Sequence, residues 1–413
     1  MKQVWILNHY AQEPGGAGGT RHFHFAQGLP EFGWQATILA ASVELNTGRQ
    51  RLEPGEKTRI DHTSGVPFLW VRTPQYRGNG SGRLTNMLAY SARVLLRHTT
   101  RDLPRPDLII GSSVHPFAAA AGLVLARRYR VPFVFEVRDL WPQTLVDMGQ
   151  LTEGALFVRF LRKLELFLYR RAKKIVVLLP RSADYIVPLG IPLSKIQWIP
   201  NGVDLSLFPP SPLPKRSSGE PFTLMYFGAH GHANGLETVI EAMKLVQERE
   251  DAAGIRLRLV GDGGMKSDLE NLAREYGLKN VSFEPPVPKN QIAQLAAGAD
   301  AFLIAVKDLP GLYRYGISMN KLFDYLAAGR PTIIASNAVN NPIAEAEAGL
   351  TVAAECPAAL AAAVMELAAI PFEVRQRMGM SGREYVVRNH DFRQLSATLA
   401  RLLGEACSPG IAS

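Results

Sequence analysis

Two cysteines in 413 residues, Cys356 and Cys407, offer no metal or redox spacing, and this scarcity fits a reducing compartment without structural disulfides. No apolar run exceeds the ten residues Phe117–Ala126, well short of the roughly 20 that cross a bilayer. Met1–Leu7 reads as a strand rather than as a basic-then-apolar leader, so a cytoplasmic protein is expected, with any membrane contact peripheral. No G-K-[ST] occurs, which excludes a P-loop by motif, and a G-x-G-x-x-G begun at Gly16 ends on Arg21. No D-x-D is present to hold a divalent cation under a diphosphate. His22/His24 and His230/His232 stand two residues apart, a spacing that turns helical side chains to different faces, so no metal site is expected.

What is present is ordinary globular composition, 47% hydrophobic and 20% charged, in a chain long enough for two domains. The formal net charge of +9 is unevenly placed. Arg77–Arg105 holds six arginines against Asp102, and 159–174 holds seven basic residues against Glu165. The second stretch mixes Leu and Phe with cations at helical spacing; it reads either as a core helix with a solvated basic side or as an interfacial helix on anionic lipid. Nothing resembling a nucleic-acid-reading motif accompanies the charge.

Short apolar runs alternate with helix-period stretches along the chain, which implies parallel sheets covered on both faces. Strands are expected at Val4–Asn8, Ala36–Ala40, Phe68–Arg72, Asp107–Ser112, Phe133–Arg138, Lys174–Leu179 and Ile196–Ile199. A second set is expected at Phe222–Phe227, Arg256–Gly261, Val281–Phe283, Ala301–Ala305, Pro331–Ala335 and Leu350–Val352. Between the sets, Asp204–Phe222 is rich in Pro and Ser and reads as a linker. The expected architecture is α/β, with two doubly wound domains facing one another across a cleft and ligands beyond the carboxyl ends of the strands.

Three loops there carry candidate chemistry. Gly15–Gly19, four glycines and Ala17 ahead of a helix, would let a phosphate group approach backbone amides, with Gly16, Gly18 and Gly19 nearest to it; the alternative is mere flexibility. Gly228, His230 and Gly261 close two strands of the second half, as in a nucleotide diphosphate site. In "GLYRYGISMNKLFDYLAAGRPTI", Arg314 and Lys321 are suited to phosphate oxygens, and Asp324 to ribose hydroxyls from the same helix face as Lys321.

"IPNGVDLSLF" (199–208), "LVGDGG" (259–264), "NKLFDYLAAGRPTI" (320–333) and "AGLTV" (348–352) resemble glycosyltransferase family 4, in that family's order. "PGGAGGTRHFHFAQGL" and "PFVFEVRDLWP" (132–142) resemble the fucosaminyltransferase-like subgroup that builds bacterial surface polysaccharide, including O-antigen. The resemblance implies a GT-B fold: an acceptor-side Rossmann-like domain (1–205), a nucleotide-sugar domain (206–382) and a C-terminal helix crossing back (383–413). It further implies retaining, metal-independent transfer from a nucleotide diphosphate sugar, UDP-linked, to a saccharide or polyprenyl-diphosphate-linked acceptor, with no cofactor beyond that substrate. Donor contacts would come from Gly16, Gly18, Gly19, Gly228, His230, Gly261, Arg314, Asn320, Lys321 and Asp324. His115 would meet the donor sugar, Glu136, Arg138 and Asp139 the acceptor side, and Asp139 the acceptor hydroxyl; a structural Arg138–Asp139 pair is the other reading. The family's first donor-site glutamate is Gly316 here, its second Asp324, and its phosphate-binding Arg and Lys are Ala229 and Asn234. A nucleotide-sugar 2-epimerase and a non-catalytic donor-binding partner are the competing expectations; a dinucleotide oxidoreductase falls behind because its fingerprint is missing.

Overall fold

The computed structural model describes the chain except residues 15–18, 46, 77, 79, 218, 289–290 and 409–413. It divides into two compact units, Met1–Pro200 with Phe392–Ser413, and Asn201–Asp391.

The first unit is built on an eight-stranded sheet in the order β3-β4-β2-β1-β5-β6-β7-β8. Its strands are β1 (Lys2–Leu7), β2 (Trp34–Ala41), β3 (Thr58–Asp61), β4 (Phe68–Val71), β5 (Leu108–Ser112), β6 (Phe133–Val137), β7 (Lys174–Val177) and β8 (Ile196–Trp198). All pair in parallel except β3, an antiparallel edge strand on β4. Continuous runs such as "VWIL" and "LII" are buried on both faces, as a helix-covered parallel sheet requires. Helices α1 (Arg21–Gly28), α2 (Ser81–Val94), α3 (Pro116–Tyr129) and α4 (Leu156–Arg171) cover it. The C-terminal helix Phe392–Cys407 joins the same core, its Phe392, Leu395, Leu399 and Leu403 packing with Phe23, Phe25 and Leu29.

The second unit holds six parallel strands in the order β11-β10-β9-β12-β13-β14. They are β9 (Phe222–Phe227), β10 (Ile255–Val260), β11 (Val281–Glu284), β12 (Ala301–Ala305), β13 (Thr332–Ala335) and β14 (Gly349–Val352). Helix α5 (Leu236–Gln247) follows β9, α6 (Asn320–Ala327) precedes β13, and α7 (Phe372–Asn389) packs back on α6.

Two expected boundaries move. The Pro/Ser-rich stretch is no free linker: Arg330 donates to the carbonyls of Ser211 and Pro212 at 3.0 Å, and Arg216 pairs with Asp300 at 3.0 Å, so it straps the second unit. The units part instead at Pro200/Asn201. The return to the first unit falls at Asp391/Phe392 rather than near Arg383. Gly382 of α7 packs so closely on Leu326 and Ala348 that this helix stays with the second unit.

In the first unit α4 buries a carboxyl group, that of Glu165, which accepts from the hydroxyls of Tyr169 and Tyr185 at 2.9 Å each. Burial outweighs these bonds and Arg162, raising its pKa to about 8. Because the folded value exceeds the unfolded one, stability is full below about pH 4.5 and falls as pH rises to 8. Glu165→Gln is therefore expected to be more stable than the parent by on the order of 3 kcal/mol at pH 8 and equal to it near pH 4.5. Urea unfolding at the two pH values measures this, and an equal gain at both would refute it.

Candidate active site

In doubly wound sheets ligands gather beyond the carboxyl ends where strand order reverses. That point lies between β1 and β5 in the first unit and between β9 and β12 in the second.

At the second unit's reversal, β9 and β10 end in glycines that cross almost in contact. Gly261 has φ +150°, and a Cβ there would lie 2.0 Å from the Gly228 carbonyl oxygen. Only glycine fits, and the crossing is fixed by Gly228 N–H donating to Val260 and His230 N–H to Asp262. Lys266 holds the turn from below, donating to the carbonyls of Gly261 and Glu284. Gly261→Ala is expected to unfold the second unit or cost it more than about 3 kcal/mol, whereas Gly264→Ala, with open space at its Cβ, is silent. Melting curves of the two variants provide the comparison.

The Lys321 ammonium leans over this turn from the first turn of α6. Its Nζ donates to Tyr226 Oη at 2.7 Å and Asn234 Oδ1 at 2.6 Å and lies 4.5 Å from the Tyr226 ring centroid. Asn234 and Tyr226 in turn both donate to the Ala229 carbonyl, at 2.9 and 2.6 Å. An ammonium has three protons, so one remains for a ligand. Burial lowers its pKa to about 7. Beside it the His230 ring is fully buried, and neither ring nitrogen has a hydrogen-bond partner among the described residues. Burial, with Lys266 adding, lowers His230 to about 4, so the ring is neutral.

The remaining donor-side candidates divide. Asp324 is buried on α6 and Asn320 opens that helix. Arg314 is exposed and lies over the Tyr315 ring, with no contact to the Lys321 group. Gly316 has φ +107°, so the loop that lacks the family's glutamate has a backbone suited to glycine.

At the first unit's carboxyl edge, Glu136, the last residue but one of β6, accepts from Arg21 Nε at 2.9 Å and His22 Nε2 at 2.5 Å. Arg21 also donates to the carbonyls of Ile199 and Pro200, and Asn8 Nδ2 donates to His22 Nδ1. Glu136 is 3% exposed with its carboxylate taken up in these bonds, which corrects its expected acceptor contact: it positions the loop instead. Arg138 lies over Gly19, where a Cβ would stand 3.4 Å from the guanidinium, and its N–H donates to Ser113. Asp139 is exposed and forms no ion pair with Arg138 among the described residues; its carboxyl is pushed up by surrounding protein mass, an effect that exposure screens. Gly16 and Gly18 lie outside the described residues.

His115 is also corrected. It is fully buried and caps α3, its Nδ1 accepting from Ala118 N–H at 3.2 Å. Its proton is therefore on Nε2, which donates to His9 Nδ1 at 2.8 Å; His9 Nε2 donates to Asn86 Oδ1 at 2.6 Å. No ring nitrogen is left for a sugar. His9, stacked between Tyr10 and Tyr90, is lowered to about 3 by burial, so this chain of rings is neutral and directional. Sequence reading missed His9, Asn86, Arg21 and Tyr226; only the position of His9 just past a strand end could have signalled any of them.

Residues 16–202 match the glycosyl transferase 4-like domain and residues 221–369 the glycosyl transferases group 1 domain. The chain belongs to the family 4 type of GT-B glycosyltransferases. It is 30% identical over 222 residues to the GDP-mannose-dependent alpha-(1-6)-phosphatidylinositol monomannoside mannosyltransferase of Mycobacterium tuberculosis, covering 51% of this chain and 56% of that one. The chain spans about half the length of the curated relatives it matches. Among solved structures, the sucrose-phosphate synthase of Thermosynechococcus elongatus superposes with a TM-score of 0.72 at 18% identity, over 97% of this chain and 98% of that one. Anabaena HepE, in complex with UDP and glucose, gives 0.65 at 16% identity over 98% and 99%. These likenesses show the GT-B fold of this glycosyltransferase.

Proposed function

We propose that this glycosyltransferase moves a sugar from a nucleotide diphosphate sugar, UDP-linked, to a saccharide or lipid-linked acceptor in bacterial surface polysaccharide synthesis, with retention at the anomeric carbon. The observation that carries the reading is the Lys321 ammonium, held by Tyr226 and Asn234 over the glycine crossing at the second unit's strand reversal. Where relatives of the family place Arg and Lys after the first strand, Ala229 and Asn234 stand here, and Lys321 fills the gap from α6. In the reaction the acceptor oxygen bonds the anomeric carbon and gives its proton to the Asp139 carboxylate as the diphosphate leaves with the bonding electron pair. Lys321 with nearby backbone amides meets the growing charge without needing a metal ion. The unpartnered His230 nitrogens provide one further contact for the donor. Asp139, exposed at the end of β6, takes the acceptor hydroxyl, and Arg138 beside it holds the acceptor's own anionic group. A saccharide on a lipid suits the mannosyltransferase relative, which is named for a phosphatidylinositol mannoside, and UDP suits the HepE complex. The reading places the enzyme in the cytoplasm at the inner face of the membrane.

A thermal-shift panel of UDP- and GDP-sugars, followed by mass spectrometry of transfer products, tests this. A UDP-sugar that raises the melting temperature and is consumed only with an acceptor supports it. Stabilisation by GDP-sugars alone replaces the base, and no stabilisation by any nucleotide sugar removes the donor site.

A further inference from the structure

Helix α4 runs from beyond the carboxyl end of β6 back to the start of β7, and its inner face is the expected one: Val158, Leu161, Glu165, Leu168 and Tyr169 are buried. Its outer face is not. At 100° per residue, Leu156, Phe160 and Phe167 fall on one line along the side turned away from the core. Leu156 is 80% exposed, Phe160 52% and Phe167 40%. A surface helix normally carries polar residues there. Cations flank the line: Lys163 and Arg170 on one edge, Arg171 at the end. None of these three forms an ion pair among the described residues, although Arg171 and Arg127 of α3 both lie against the Phe167 ring, at 5.5 and 5.6 Å. The neighbouring helix adds Val124, 43% exposed. Beyond Phe167 the surface opens into a groove of about 530 Å³ with a mainly apolar lining, Leu123, Val131 and Pro132 among it, to which Arg127, Arg171, Lys173 and Lys195 add the charge.

We infer that this face of the first unit is a docking surface for an anionic lipid bilayer, with Leu156, Phe160 and Phe167 entering the headgroup–acyl boundary and the cations meeting lipid phosphates. Charge complementarity selects the occupant: long cationic side chains with apolar stems beside an aromatic stripe match a phosphate-covered, apolar interior. Three large apolar side chains exposed in one line also exceed what a soluble surface usually shows. No single described helix is long and apolar enough to cross a bilayer, so the contact is one of lying on the surface. The inference rests on the lipid-linked acceptor proposed above and deepens it. The amino-terminal end of α4, with Leu156, is the end toward the carboxyl edge where Arg138 and Asp139 stand, and Arg162, nearly two turns on, ties α4 to Gln143 of the short intervening helix Gln143–Asp147 at 2.9 Å. A bilayer on this face sets acceptor headgroups beside those residues.

The test is co-sedimentation of the full chain with vesicles of phosphatidylcholine alone or with one quarter phosphatidylglycerol. Binding at least tenfold tighter to the anionic vesicles is expected, weakened by 0.5 M salt. Phe160→Ser with Phe167→Ser, and separately Lys163→Glu with Arg171→Glu, should each lower it at least tenfold while leaving the nucleotide-sugar thermal shift unchanged. Absence of binding by the parent, or variants that sediment like it, overturns the inference. So does a concentration-dependent dimer, abolished by the Phe variants, in a protein that ignores vesicles. Transfer to a soluble saccharide without vesicle binding would sink this inference and keep the proposed function. Vesicle binding without any donor shift would do the reverse.

Discussion

Lys321→Met is expected to lower kcat/KM for sugar transfer by about 10²–10³-fold, the cost of removing one preorganised charged donor from a developing anion. It is not expected to lower stability. Burial holds the folded pKa near 7, below the unfolded value of 10.5, so the buried charge costs stability in full below pH 7 and the cost fades as pH rises toward 10.5. The variant should therefore melt higher than the parent at pH 6.5, and the two should converge at high pH. The same pKa sets the activity profile. If the ammonium is the working form, kcat/KM of the parent falls as pH climbs through about 7, and donor binding takes up protons near pH 7.5. Lys321→Arg should not restore activity, because a planar fork cannot direct two bonds to Tyr226 and Asn234 and a third to phosphate. A parent-like kcat/KM in Lys321→Met would remove Lys321 from the chemistry. A lower melting temperature with normal turnover would make it a structural residue.

The legible parts of the molecule were those encoded locally. Thirteen strands are readable, most of them because a buried parallel strand is written as a continuous apolar run. β8 (IQW) and β11 (VSFE) are partly exposed and mixed, and only the alternation with helices places them. β3 is missed because Thr58–Asp61 is four residues long, mostly polar and at an edge, where nothing forces an apolar run. Lys321 is findable since motif spacing puts it on the first turn of α6. Its partner Tyr226 is not, being 95 residues away and looking like any other strand aromatic. The stretch 204–222 misleads because proline content records the absence of regular structure, whereas Arg330 and Arg216 decide whether an irregular segment is held. His115 misleads for a similar reason. Its place after a strand end is real, but the neighbours that spend both ring nitrogens come from β1's end and from α3's own backbone. Spacing tells where a side chain starts, not which partner saturates it.

That distinction decides the other large effect. Arg21→Met should cost the first unit about 3–5 kcal/mol, roughly 10 °C in its melting transition, without touching any donor-side group. The Arg21 guanidinium is 2% exposed and joins Glu136 to the carbonyls of Ile199 and Pro200, so removing it strands a buried carboxylate on a neutral imidazole and leaves two carbonyls unpaired. Burial alone would push the Glu136 carboxyl up, yet His22 and Arg21 outweigh it and hold the group well below the usual carboxylate range. A depressed carboxyl contributes stability above its unfolded value of 4.5 and loses it only as pH falls through the folded one. The Arg21→Met deficit should accordingly be nearly constant from pH 8 to pH 6. Acid weakening of the parent starts higher and has another source. His9, His22 and His115 are all lowered from 6.5 chiefly by burial, so the unfolded chain binds protons that the fold refuses, and stability drops as pH falls below about 6.5. Parent and variant should share the His9 and His115 parts of that slope, while losing the Arg21 charge relaxes a minor share of the His22 part. A deficit that vanishes at pH 6, or a variant melting within 2 °C of the parent at pH 8, would mean that the buried Arg21–Glu136–His22 cluster does not anchor the loop that follows β1.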